Sequence, residues 1–231
     1  SGNVSAHLKS KIANTTAFEH YLTQPVNWDT LSVDATLGGR VDSLTFYLKS
    51  MASQIKMDTT LTVTHLWLNS DGLWQNNMPF VNAIMNASGI EVSGFKADSL
   101  WVNASLADSL WSANLKAHLP DDYDIELAAN GNLGEVMDVA MEKLSLTSPF
   151  AHLQTSDVPA HIRYSDKRVA LNNFILNDKR DSLFQMGIDA VYQQGDSIKL
   201  NARIKDFNME MLSKFGLSEQ YMKGRASLIL E

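Results

Sequence analysis

LSVDATLGGRVDSLTFYL, the stretch from Leu31 to Leu48, shows the pattern that most of this chain repeats. The apolar residues Leu31, Val33, Ala35 and Leu37 lie two positions apart, and Leu44, Phe46 and Leu48 resume the same spacing after Gly38-Gly39. A period of two places alternate side chains on opposite faces of a strand. The stretch therefore predicts a half-buried strand, a glycine turn and a second half-buried strand, with no reactive side chain.

Similar alternation continues to the end of the chain, and the intervening segments carry turn residues. Such segments include Asn69-Ser70-Asp71-Gly72, Asn130-Gly131-Asn132 and Ser165-Asp166-Lys167. Strands joined by short turns pair antiparallel. We therefore predict a mainly β fold, a long antiparallel meandering sheet with strands at 31–38, 40–49, 53–57, 59–69, 90–96, 99–106, 109–118, 123–130, 136–146, 158–164, 168–177, 183–192, 197–206 and 224–230.

Two or three short helices are expected beside this sheet. Residues 11–22 have helical content and end before Pro25, residues 78–86 carry apolar pairs four apart after Pro79, and residues 208–222 form an amphipathic stripe. We divide the chain into an irregular or helical lead-in at 1–28 and a β segment at 29–231.

The composition excludes several classes of function. The 231 residues carry a net charge of -7 and no clustered basic patch, which argues against nucleic-acid or anionic-membrane binding. Cysteine is absent, and no apolar run reaches the ~20 residues that a membrane-spanning helix needs. Ser1-Gly2 is typical of a tag remnant and Leu228 to Glu231 stops within a strand pattern, so we expect a fragment of a longer protein.

No catalytic or metal-binding motif emerges from the reactive residues. The six histidines show no HExxH, no H-x-H and no pair four apart. Asp122, Asp124 and Glu126 alternate with Tyr123, Ile125 and Leu127, as expected for a solvated strand face, and the calcium-loop glycine and glutamate are missing. Nucleophile-elbow, phosphate-loop and dinucleotide motifs are absent. We therefore expect no cofactor, no metal site and no enzyme activity.

Seven aspartates are each followed by Ser or Thr and then by an aliphatic residue or Thr. Asp-Ser and Asp-Thr are ordinary turn exits that open the next strand. The triplets also resemble the O-glycosylation acceptor sites of exported Bacteroidota proteins, which implies an extracytoplasmic location. On that resemblance the possible acceptors are Thr30, Ser43, Thr59, Ser99, Ser109, Ser182 and Ser197.

The chain also resembles the AsmA-like superfamily, most closely its TamB-type envelope proteins. Three segments carry the resemblance. They are the strand–glycine–strand segment from Leu37 to Leu44, the alternating segment from Ser197 to Ile204 that leads into a predicted helix near Met209 to Phe215, and the segment from Lys223 to Leu228 that begins the last predicted strand. The resemblance covers residues 30–231.

Membership of that family implies a sheet curled into a trough, with an apolar groove for phospholipid transport between inner and outer membranes. It implies a periplasmic location, an inner-membrane anchor outside this fragment, phospholipid acyl chains as ligand and an outer-membrane barrel assembly protein as partner. The candidate groove residues are the apolar members of the clearest alternations: Val33, Leu37, Leu44, Phe46, Leu61, Val63, Leu100, Val102, Ile125, Leu127, Ile162, Leu171, Ile188, Leu200 and Ile204.

Periodicity leaves one alternative open, because the same alternation fits a closed β-sandwich filled by its own side chains. In that case the chain is a structural or adhesion module of an exported protein. Trp67, Trp74, Trp101 and Trp111 fit either fold, and we expect them to pack at the rim or in the core.

Overall fold

The computed structural model describes residues 2–13, 26–57, 60–76, 78–195, 198–214, 220 and 223–230. The chain forms two compact units, Ser1–Pro120 and Asp121–Glu231. A 3₁₀ turn at Pro120–Asp122 lies at the boundary.

The first unit is an antiparallel meander. Its strands are β1 (Asn3–Ile12), β2 (Val26–Asn27), β3 (Thr30–Arg40), β4 (Ser43–Met57), β5 (Leu61–Gln75), β6 (Met78–Val92), β7 (Phe95–Ala107) and β8 (Leu110–Leu119). The order is β1-β3-β4-β5-β6-β7-β8, and the short β2 pairs with the end of β4. Each strand from β3 onward therefore lies beside its neighbour in the chain.

Three glycines of the first unit, Gly38, Gly39 and Gly72, lie inside strands, where turns were predicted. Arg40 pairs with Ser43, so the β3–β4 turn is Val41-Asp42, and Gly38-Gly39 belong to β3. Gly39 has a φ of 123°, and a side chain there would collide with the Ser43 carbonyl oxygen. Gly72 lies within β5, under the ring of Phe46, where a Cβ atom would overlap that ring. These glycines permit close approach between strands instead of ending them.

The second unit is also an antiparallel meander. Its elements are β9 (Tyr123–Asn132), β10 (Met137–Thr147), β11 (His152–Thr155), β12 (Ala160–Ser165), β13 (Arg168–Asp178), β14 (Gln185–Gln193), β15 (Lys199–Asn208), α1 (Glu210–Lys214) and β16 (Arg225–Leu230). β11 and β12 together take the place of a single strand between β10 and β13, since each of them pairs with both of these strands.

The mainly β antiparallel meander is confirmed, but the helix prediction is wrong at 78–86, which lies in β6. The pairs Phe80/Ile84 and Val81/Met85 are four residues apart, a spacing that also puts both members on one face of a strand.

The other predicted helices also change. Lys11 and Ile12 end β1, and most of 11–22 lies outside the described residues. Within 208–222 the described residues contain one helix, α1, of five residues, and this is the only helix in the described part of the chain besides the 3₁₀ turn. The prediction of two or three helices is therefore wrong for the residues described.

Candidate functional site

One face of the first unit is apolar over successive strands. Directly paired residues of antiparallel neighbours share a face, so the register assigns each side chain. Leu37 pairs with Phe46, Leu44 with Trp74, and Val102 with Met85. We call this surface the first aliphatic face; it comprises Val33, Leu37, Leu44, Phe46, Leu48, Leu66, Leu68, Trp74, Val81, Met85, Leu100, Val102, Leu106, Trp111 and Leu115.

Leu61 and Val63, two of the predicted groove residues, lie beyond an interruption of this alternation. The aliphatic-face residues of β4 have even numbers up to Ala52, and the apolar residues that follow, Ile55 and Met57, have odd numbers. Gln54 and Gly89 have φ values of 51° and 59°, and Gln54 and Thr64 drop out of the ladder between β4 and β5. Val63 pairs with Ile55 and Ile90, and so forms a separate apolar patch beyond this row.

The second unit has a corresponding surface, which we call the second aliphatic face. Ile125 pairs with Leu146, Ile162 with both Val139 and Leu171, and Ile188 with Phe174. All seven groove residues predicted in this unit lie on this face, which also includes further apolar residues: Ile125, Leu127, Val139, Met141, Leu144, Leu146, Leu153, Ile162, Leu171, Phe174, Leu176, Met186, Ile188, Leu200, Ile204 and Leu228.

Three β-bulges keep the second aliphatic face continuous. The register shifts between Met141 and Lys143 in β10, between Leu171 and Phe174 in β13, and between Ile204 and Phe207 in β15. An extra residue reverses the alternation that follows it. Apolar positions therefore pass from odd to even in β10 and β13, and from even to odd in β15, without leaving the face.

Polar side chains hold two of these bulges in place. Asn173 and Asp206 adopt φ values of 59° and 52°, a conformation that Asn and Asp tolerate better than most residues. The Asn173 backbone N–H donates to Asp189 Oδ1 at 2.6 Å. The Asp206 backbone N–H donates to the Ser227 hydroxyl at 3.1 Å. In both cases a short side chain of the neighbouring strand satisfies the amide that the bulge releases from the ladder.

Neither aliphatic face is covered by a second layer of described residues. Within each unit the elements in extensive contact are hydrogen-bonded neighbours in the sheet. Buried hydrophobic residues are few and mostly small: Val63, Ala87, Ala97, Ala151, Ala160, Ala170 and Leu176. A sandwich core would instead bury its large side chains between two sheets. Most of the large apolar side chains of these faces remain partly accessible, with Leu37 37% and Leu200 40% exposed.

One end of the second aliphatic face lies beside α1. The rings of Phe184 and Phe207 meet edge to face at a centroid distance of 5.9 Å, and Met211 of α1 joins them around a cavity of about 190 Å³. Arg225 Nη1 lies 2.9 Å from Asp181 Oδ2, and this hydrogen-bonded guanidinium holds the pKa of Asp181 below its usual value.

The possible glycosylation acceptors are spread over both units. Thr30 and Ser43 begin strands, Ser99 lies inside β7, and Ser109 and Ser182 lie between strands. Thr30, Ser99 and Ser182 are exposed, and Ser43 and Ser109 are half-buried. Thr59 and Ser197 lie outside the described residues. Strand entry accounts for Thr30 and Ser43 but not for Ser99, which lies inside β7.

Ionisable groups form small local pairs. Asp138 Oδ1 lies 3.2 Å from His161 Nδ1, and Asp138 Oδ2 lies 2.9 Å from Arg163 Nε. The hydrogen bond with His161 and, to a smaller extent, the one from Arg163 lower the pKa of Asp138. Among the described residues no group of three metal-ligating side chains converges. No helix in the described ranges is both long and apolar enough to span a bilayer.

Trp67 and Trp101 lie on the opposite face of the first unit, which we call the polar face. Trp67 stands between Leu66 and Leu68, and Trp101 between Leu100 and Val102, so alternation alone directs both indoles away from the first aliphatic face. Trp74 and Trp111 lie on the first aliphatic face. The sequence prediction treated all four alike, although this parity distinguishes them.

Comparison with protein-family models, curated proteins and solved structures found no match to this chain. The features that bear on function are therefore the two aliphatic faces and the residues around them.

Proposed function

We propose that this chain is a non-catalytic segment of an AsmA-like, TamB-type envelope protein that carries phospholipid acyl chains along its apolar surfaces. The observation that supports the proposal most strongly is the second aliphatic face, on which three bulges preserve an apolar lining across seven strand positions. No described element covers it.

The physical reason is the free energy of apolar hydration. Contiguous apolar patches of this kind are rare on soluble monomers and mark surfaces that meet another apolar partner. Each methylene that leaves water for such a surface gains about 0.8 kcal/mol. An acyl chain lying across several strands would gain this repeatedly, while its headgroup stays hydrated at the edge. Transfer along the face would be passive, because neighbouring positions offer similar apolar contacts.

The trough shape and the cellular setting belong to the same proposal. Bulges bend and twist the strands that contain them, so the three bulges of the second unit favour a curled sheet. In the proposed setting the chain lies in the periplasm and passes phospholipid between the inner and outer membranes, with an outer-membrane barrel assembly protein as partner.

Two adjacent residues of β15 provide a matched test. Leu200 belongs to the second aliphatic face, whereas Asn201 points to the other side and pairs with Asp189. Leu200→Lys should lower the amount of co-purified phospholipid at least about fivefold, since an ammonium group must be desolvated beside the acyl chain. Asn201→Lys should retain wild-type lipid content. Mass spectrometry of organic extracts from the purified proteins measures both.

The control for folding is the circular dichroism spectrum and urea midpoint of each variant. Absence of phospholipid from the folded wild-type protein would contradict the proposal and favour a structural or adhesion module. Equal lipid loss in the two variants would also contradict it, because the effect would then not depend on the face.

A further inference from the structure

Most of the residues that line a cavity of about 690 Å³ in the first unit belong to its polar face, and the rest are one row of the first aliphatic face, Ala52, Leu66, Ala87 and Leu100. Part of its lining is a row of directly paired residues, one from each of six neighbouring strands. In sheet order these residues are Lys11, Ser32, Met51, Trp67, Asn86 and Trp101. The row places Asn86 between two indole side chains.

The spacing of Trp67 and Trp101 follows from the sheet. They are separated by one intervening strand, so their backbones lie about 10 Å apart. Both side chains are half-buried, and Met51 beside Trp67 is 50% exposed. The two indoles and the thioether are thus available at the surface of the cavity, on a rigid ladder.

A second row lines the cavity with hydrogen-bonding side chains. In sheet order it comprises Thr30, Ser53, His65, Ser88 and Ser99. Thr30 Oγ1 and Ser53 Oγ lie 2.6 Å apart, and Ser88 Oγ lies 3.5 Å from His65 Nδ1. A hydroxyl group has one donor and two acceptor positions, so these residues keep capacity for a polar ligand.

The charge of the cavity differs from that of the chain. Lys11 and His65 are in the lining, and no carboxylate is among the described residues that form it, although the chain carries a net charge of -7. The cavity therefore tolerates an anionic group, and Lys11 is placed to attract one.

We propose that this cavity binds an oligosaccharide. A pyranose ring has apolar C–H faces and polar edges, and it matches a site in which aromatic surfaces alternate with hydroxyl, amide and imidazole groups. Two rings lie against Trp67 and Trp101, Asn86 and the Ser/Thr row bind their hydroxyls, and an acidic substituent lies near Lys11. An acyl chain is a poorer occupant, because it offers no hydrogen bonds to the remaining donor and acceptor positions of this row.

Titration with soluble tetrasaccharides tests the proposal. The probes are cellotetraose, the tetramer of N-acetylglucosamine and an alginate tetrauronate, and binding is measured by tryptophan fluorescence and calorimetry on the full chain. We expect at least one probe to bind at millimolar concentration or below. Trp67→Ala and Trp101→Ala should each weaken that binding about tenfold. Trp74→Ala on the first aliphatic face should leave it unchanged.

Asn86→Asp gives a second readout, because Asn86 is exposed and its replacement changes charge with little change in volume. This variant should weaken binding of the tetrauronate more than binding of cellotetraose.

A glycolipid headgroup and a free glycan are distinguished by comparing two probes, phosphatidylcholine vesicles that contain digalactosyl diacylglycerol and free digalactose. Saturable binding of either probe supports the sugar site.

The proposal is overturned if the folded wild-type protein binds none of these sugars, or if Trp74→Ala weakens binding as much as Trp67→Ala. Its failure would leave the lipid proposal standing, since that proposal depends most strongly on the second aliphatic face and is measured by extracted phospholipid.

Discussion

The two units keep a long apolar face in different ways. In the first unit, β3 to β8 pair without any register shift, and the alternation is interrupted once, at a row marked by the positive φ values of Gln54 and Gly89. In the second unit, single strands carry an extra residue and the register shifts locally. Alternation thus predicts the face of a side chain only as far as the next such interruption.

The difference has a consequence for tolerance to change. The first unit depends on close cross-strand approach, as at Gly72 under Phe46. The second depends on polar residues that absorb one extra position, as at Asn173. Substitutions that add volume should therefore harm the first unit, and changes of length should harm the second.

Deletion of Asn173 should have the largest effect. Without it, either Phe174 and Leu176 reverse their faces or the strand slips in register, and Leu176 is only 4% exposed. We expect a loss of about 3 to 5 kcal/mol in the free energy of unfolding, measured by urea denaturation. Asn173→Gly preserves the positive φ and the backbone bond to Asp189, and should lose no more than about 1 kcal/mol. A deletion variant as stable as the wild type would refute the role of the bulge.

Gly72→Ala should have the next largest effect, in the first unit. Its Cβ atom would overlap the Phe46 ring and the Phe80 carbonyl oxygen, and we expect destabilisation of about 2 to 3 kcal/mol. Gly187→Ala in the second unit is the matched control, because a Cβ atom there meets nothing within 4 Å. This control should be neutral or stabilise by up to about 1 kcal/mol. Equal effects at the two glycines, again measured by urea denaturation, would show that crowding does not distinguish the units.

The smallest effect concerns pH and the second unit. The pKa of Asp138 is lowered in the folded state, so its ionised form stabilises the fold at pH values above its usual 3.8. That contribution is lost as pH falls through the lowered folded pKa. Asp138→Asn should therefore reduce stability near neutral pH, and its difference from the wild type should shrink in acid. A pH series of thermal unfolding midpoints measures this, and a difference that grows below pH 3.8 would contradict it.

Much of the fold could be predicted from alternation, since Leu31 to Leu48 does contain two paired strands. The position of the turn was predicted wrongly at Gly38-Gly39. Glycine does not mark only turns, because it also allows strands to approach closely, as Gly39 and Gly72 do. Met78 to Asn86 was predicted as a helix because a spacing of four residues satisfies both periods.

Alternation groups apolar residues of the second unit on one face, but it does not show how that face continues past each bulge, and it does not separate Leu61 and Val63 from the first aliphatic face. The seven groove residues predicted in the second unit do share a face, yet only the register shows how Leu171 and Phe174, three positions apart, remain on it. Each bulge can be recognised in the sequence, because the apolar residues change from odd to even positions, or the reverse, on either side of polar residues such as Asn172-Asn173. The cavity on the polar face was not predicted. The sequence does indicate that Trp67 and Trp101 share that face, because each lies between two residues of the first aliphatic face.

Site-specific photocrosslinking to phospholipid tests the central claim most directly. A benzophenone side chain is introduced at Val102 or its neighbour Asn103, and at Leu127 or its neighbour Ala128, so that each pair samples opposite faces of one strand. We expect lipid adducts at Val102 and Leu127 and none above background at Asn103 and Ala128. Equal labelling within each pair, or no labelling at Val102 and Leu127, would contradict it.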